Sequence, residues 1–115
     1  MTNEIKESLK PFFWVEHEKS CSLCLNVGGF KDEMFLERED EGFEGGGYDW
    51  GSLAVVFLDE KMPELKNDIG LDPEAGMFCA YSQNTEALEK FAIGFRAMCE
   101  DETLMRDLFS RAELD

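Results

Sequence analysis

Residues 77–100, MFCAYSQNTEALEKFAIGFRAMCE, change their hydrophobic period partway along. Residues 77–82 form a short, apolar, aromatic-bearing run that reads as a strand. From Asn84 onward the period lengthens: Leu88, Phe91, Ala92, Phe95 and Cys99 recur at helical spacing, Asn84 is placed as the N-cap, and Glu86 and Lys90 are set as an i,i+4 pair. A strand leading directly into an amphipathic helix implies two layers, because the apolar stripe of the helix has to be covered by other elements.

Working outward, residues 69–71 and 77–82 flank Asp72-Pro73-Glu74-Ala75-Gly76, a turn-rich joint that predicts a hairpin. Upstream, Asp49 is placed to cap a helix from Trp50 to about Lys66, with Trp50, Leu53, Ala54, Phe57 and Leu58 as its stripe. Pro63 should kink or restart that helix after Met62. Nearer the start, residues 12–18 (FFWVEHE) and 21–27 (CSLCLNV) read as two strands joined at Lys19-Ser20, and residues 34–37 suit a third. Asp101 can open a short last helix carrying Leu104, Met105, Leu108 and Phe109. Strands gather early, helices gather late and no internal repeat is present. The expected class is α+β: one domain over residues 1–115, with a polar segment 1–10 and an antiparallel sheet of about four to five strands packed against two to three helices.

The chain of 115 residues has 43% hydrophobic residues, ten of them Phe, enough for a core of its own. Its 26 Asp and Glu against 11 Lys and Arg give a formal charge of −15. Such a surface repels phosphates, which argues against nucleic acid, nucleotides and anionic lipid as partners and favours a basic one. The longest apolar run is six residues, 53–58, far short of a membrane span. The first ten residues carry no apolar leader, so the expected location is the cytoplasm, with the four cysteines kept as thiols.

Cys21 and Cys24 have CxxC spacing, but on a strand an offset of three sends the two side chains to opposite faces. His17 is the only histidine, which excludes triads and multi-histidine metal sites of the usual kinds. A small metal- or thiol-dependent enzyme, or a metal-binding domain, using Cys21, Cys24 and His17 is the alternative reading. Residues 37–42 (EREDEG) imitate the opening of a calcium loop, yet its twelfth position is Tyr48 instead of a bidentate Glu. Gly46 and Gly51 imitate the spacing of a phosphate loop, with Trp50 and Gly51 where its lysine is needed. No cofactor and no resident metal are expected.

Residues 37–50 concentrate Glu37, Glu39, Asp40, Glu41, Glu44 and Asp49 around a single Arg, and add Phe43, Tyr48 and Trp50. Aromatic rings rimmed by carboxylates suit a protein-binding surface, so these nine residues are the candidate contacts, with packing of Phe43 and Trp50 into the core as the competing reading.

Residues 42–53 (GFEGGGYDWGSL), followed by 72–82 (DPEAGMFCAYS), resemble the immunity protein 51 family of bacterial polymorphic toxin systems. The likeness spans most of residues 12–114, and the run of three glycines with Gly51 after Trp50 is where the chain departs from the pattern. The resemblance implies a small cytoplasmic α+β protein, encoded beside a secreted toxin, that binds the toxin domain without catalysis. Carboxylates standing in for phosphates in a basic cleft are a physical route to that end. The expected partner is thus a cognate toxin domain, with the chain itself a monomer or weak homodimer.

Overall fold

A tight turn at Lys19 folds the first two strands onto each other, with the His17 amide donating to the Ser20 carbonyl at 2.8 Å. In the computed structural model, which describes residues 2–114, these are β1 (Phe13–Glu16) and β2 (Cys21–Asn26). Met1 and Asp115, the ends of the expected domain, lie outside the described residues. The second hairpin also forms, from β3 (Gly70–Leu71) and β4 (Met77–Ser82). The four strands make one antiparallel sheet in the order β1-β2-β4-β3.

The β2–β4 register pairs Leu23 with Ala80, Cys24 with Cys79 and Leu25 with Phe78. Paired residues of antiparallel strands share a face. Leu23, Leu25, Phe78 and Ala80 therefore form one side, and all four are at most 1% exposed. Ser22, Cys24, Cys79 and Tyr81 form the other side.

Three of the helices cover the buried side and account for the late helical half of the sequence: α3 (Gly47–Lys61), α4 (Thr85–Glu100) and α5 (Glu102–Phe109). α3 packs on β4, α4 on β2 and β4, and α5 against both helices. Asn84 caps α4 as expected, its Oδ1 accepting from the Ala87 amide at 3.1 Å. Asp101 ends α4 and caps α5 through the Leu104 amide at 3.1 Å. α3 stops at Lys61, and Pro63 restarts the chain as a 3₁₀ turn over Pro63–Leu65. The Glu86–Lys90 pair does not close, and the ion pair within α4 is Arg96–Glu100.

Two short helices, α1 (Asn3–Ser8) and α2 (Asp32–Leu36), complete the fold. α2 stands where a third strand was expected at residues 34–37. Met34 and Phe35 are both buried; neighbours on a strand would face opposite ways, whereas a helical turn directs both inward. Asp32 and Glu33 in its first turn suit the positive end of the helix.

Trp50 is the hub of the core. Its indole lies 5.1 Å from the Phe35 ring, 5.9 Å from Phe12, 6.1 Å from Phe95 and 6.5 Å from Phe78, so one residue at the start of α3 joins α2, β4 and α4.

Candidate functional site

The segment from the end of α2 to the first turn of α3 is built in two halves. Arg38 organises the first. Its Nε and Nη2 donate to the two oxygens of Glu41, each at 2.8 Å, across the 3₁₀ turn Glu39–Glu41. Its Nη1 donates to the carbonyls of Phe109 and Ala112, and the guanidinium lies 4.4 Å from the Phe43 ring centre and 4.9 Å from that of Phe109. One arginine thus ties the acidic turn to the end of α5 through charge, hydrogen bonds and ring contact. Arg106, within α5, holds Glu37 by charge and hydrogen bonds at 2.9 Å. Both pairings hold their acids below the usual glutamate range, through hydrogen bonds from Arg106 to Glu37 and from Arg38 to Glu41.

Asp49 organises the second half. Sequence placed it before the helix as an N-cap, but α3 begins two residues earlier and Asp49 lies in its first turn. From there its Oδ2 reaches back to accept the amides of Glu44 at 2.7 Å, Gly45 at 2.9 Å and Gly46 at 3.3 Å. Three converging N–H groups are satisfied by one carboxylate. Gly45 sits at φ +83°, which a side chain would strain. Gly47 has a harder requirement: a Cβ there would overlap the carbonyl oxygens of Glu74 and Met77. The Gly47 amide donates to the Ala75 carbonyl at 3.1 Å, and Pro73 lies 3.2 Å from where a Gly51 Cβ would be. The turn between β3 and β4 is therefore seated directly against the glycine-rich entry to α3.

These contacts divide the nine candidate residues. Phe43, Asp49 and Trp50 are buried, at 1%, 7% and 0% exposure, and leave the candidate surface. Trp50 and Phe43 pack inward because ring burial dominates, and Asp49 is consumed by backbone amides. Glu37 and Glu41 are exposed but already held by arginines. Glu39, Asp40 and Glu44 are exposed with no basic partner among the described residues, and Tyr48 is 48% exposed.

Glu44 and Tyr48 line a cleft of about 410 Å³ with Gly42, Ala75 and Leu114. Leu114 also lines a second cleft, of about 440 Å³, with Val55, Asp59, Glu60 and Glu113. The two clefts share Leu114, and Tyr48, Val55 and Leu114 are each about half exposed. Sequence reading did not reach Val55 or Leu114. The Val at an exposed helical position was the available signal, since a β-branched residue there serves neither core nor helix propensity.

The residues of the alternative reading do not converge. Cys21 Sγ lies 3.7 Å from Thr85 Oγ1, Cys24 Sγ is 3.8 Å from Cys79 Sγ on the opposite face, and His17 Nε2 lies 3.0 Å from Ser22 Oγ. Burial, then the neighbouring Cys79, pushes the Cys24 thiol up to about 12, far from a working thiolate. Among the described residues no group of three or more His, Cys, Asp or Glu is placed to hold a metal ion. No helix among the described residues is long and apolar enough to cross a membrane.

A family model described as Immunity protein 51 matches residues 12–114. No curated protein and no solved structure matches the chain. The match contains both the glycine-rich entry to α3 and the turn between β3 and β4, two stretches that meet in the structure.

Proposed function

Because the chain belongs to the immunity protein 51 family, we propose that it is a non-catalytic inhibitor that binds a cognate toxin domain in the cytoplasm and blocks a basic active site. The observation that carries this reading is the set of exposed acids without basic partners among the described residues, Glu39, Asp40 and Glu44, the last of which lines a cleft with the half-exposed ring of Tyr48. A basic cleft that normally accepts phosphates would accept these carboxylates through charge-assisted hydrogen bonds, while Tyr48 supplies apolar contact and excludes water. The chain's charge of −15 adds long-range attraction, which speeds encounter and is screened by salt.

The test uses the toxin domain encoded beside this chain. The combined variant Glu39→Gln, Asp40→Asn, Glu44→Gln, Tyr48→Ala should melt as wild type does and lose affinity by roughly thirtyfold or more, since an interface anchor contributes around 2 kcal/mol. It should also associate more slowly at low salt. A variant that folds and protects toxin-expressing cells as well as wild type would remove this surface from the interface. Wild-type chain that neither binds nor protects would remove the inhibitor reading itself.

A further inference from the structure

Cys24 and Cys79 face each other across the two central strands, with their sulfurs 3.8 Å apart. Their backbone setting decides what those thiols can do. In an antiparallel pair, hydrogen-bonded positions alternate with open ones, and the Cα atoms of an open pair stand only about 4.5 Å apart. The Val27 amide donates to the Gly76 carbonyl at 3.2 Å, which makes Val27 and Gly76 a bonded pair in the β2–β4 register. Counting back along the ladder, Leu25–Phe78 is bonded and Cys24–Cys79 is open. The neighbouring strands agree. The His17–Ser20 hydrogen bond sets the β1–β2 ladder so that the Cys24 peptide groups face Phe13, and the Cys79 carbonyl accepts from Asp72 on the far side. Both backbones thus direct their hydrogen bonds outward, and only the two side chains fill the space between them. Disulfides form at Cα separations of about 4.4–6.8 Å, a range that includes an open antiparallel pair.

We propose that Cys24 and Cys79 are an oxidation site, closing a cross-strand disulfide when the protein meets a peroxide. Cys79, the more exposed of the two, reacts first: its thiolate attacks one peroxide oxygen, the O–O bond breaks, and Cys79 becomes a sulfenic acid with release of water after protonation. The Cys24 sulfur then attacks the Cys79 sulfur, the S–O bond breaks, and the Cys24 proton leaves with the hydroxide as a second water. In total two thiols lose two electrons and two protons, and one peroxide is reduced to two waters. Burial and the elevated Cys24 pKa disfavour direct reaction of Cys24 with peroxide, and its sulfur, 3.8 Å from that of Cys79, is placed to resolve the sulfenic acid. Cys21 and Cys99 have no such partner: Cys21 lies on the opposite face beside Thr85, and Cys99 is 0% exposed within α4. The bridge would tie β2 to β4 and enclose α2, the acidic segment and α3 in one covalent loop, so the oxidised chain should resist unfolding.

The experiment treats the folded full-length chain with hydrogen peroxide, then denatures, alkylates and weighs it. The expected product has lost two of its four alkylation sites and 2 Da, yields one linked peptide pair containing Cys24 and Cys79, melts several degrees higher, and returns to the starting form with dithiothreitol. Cys79→Ser should retain three alkylatable thiols under the same treatment, whereas Cys21→Ser should still form the bridge. Four free thiols after treatment, a sulfinic Cys79 without a bridge, a bridge involving Cys21 or Cys99, or an oxidised form that melts lower than the reduced one would each overturn the proposal. The wild-type chain alone gives the mass and linkage result, so a variant that fails to fold does not block the test.

Discussion

The two halves of the acidic segment use the same residue types for opposite ends. In residues 37–41 the carboxylates point outward and arginines come to them: Arg38 to Glu41 and Arg106 to Glu37, on the surface of the molecule. In residues 44–50 the carboxylate of Asp49 turns inward and is taken up by its own backbone, next to Gly47, where no side chain fits. Acidic residues close in sequence therefore do not form one electrostatic feature. What separates them is whether the nearest available donor is an exposed side chain that water can replace or a set of backbone amides at least partly withdrawn from water.

Substitutions in the two halves should differ accordingly. Gly47→Ala should be the most damaging, lowering stability by about 3 kcal/mol or more, because backbone carbonyls on both sides have to move. Chemical denaturation would show it, and a loss under 1 kcal/mol would mean that the turn at residues 73–77 yields easily. Asp49→Ala should cost about 2 kcal/mol by leaving the buried Gly45 amide and the part-buried Glu44 amide without their acceptor. Slowed exchange of the Glu44 and Gly45 amides in wild type, lost in the variant, is the accompanying signature. Arg38→Met should cost about 1 kcal/mol, since the side chain is 20% exposed and its bonds to two carbonyls and Glu41 can be partly replaced by water. If it matched Asp49→Ala, the two halves would be equally structural and the distinction would fail. Glu39→Gln with Asp40→Asn should change stability by no more than about 0.5 kcal/mol.

Acid gives the finest discrimination. Glu37 and Glu41 are held below the ordinary value of 4.5 by hydrogen bonds from Arg106 and Arg38. The unfolded chain then takes up protons first as pH falls, so their contribution is complete above pH 4.5 and is lost as pH drops through the lowered folded values. Melting temperature between pH 6 and 8 should be flat with respect to this pair. Below pH 4.5 the double variant Glu37→Gln, Glu41→Gln should show a shallower decline than wild type. An unchanged decline would place the acid sensitivity in other arginine pairs, such as Glu60 with Arg111.

Sequence was a good guide wherever one local pattern had one structural solution. The period of α4, the turn at Lys19-Ser20 and the caps at Asn84 and Asp101 all translate directly into the fold. Residues 34–37 did not, because a short apolar run without a clear period fits a strand or a single helical turn equally well. Asp49 was read as an N-cap because an acid before an apolar stripe normally is one. Three glycines ahead of it let the chain turn back over the helix start, which moves the acid inside. The candidate site was half legible. Its acidic, aromatic composition was plain, but the Arg106–Glu37 pair spans 69 residues of sequence and no local pattern announces it. The helical stripe that includes Trp50 did point it inward, while Tyr48, two positions before, stands off that stripe and is outside.

The seating of the β3–β4 turn against the glycine entry has a practical consequence for protein engineering. Positions 44 and 48 are displayed by a frame whose fit depends on residues 45–47, 49–51 and 73–77, and positions 39 and 40 by a turn that Arg38 ties to the end of α5. A combinatorial library that diversifies only those four positions would change what the surface recognises while leaving the frame intact. Random mutagenesis spread evenly over the same stretch would spend most of its members on chains that no longer fold.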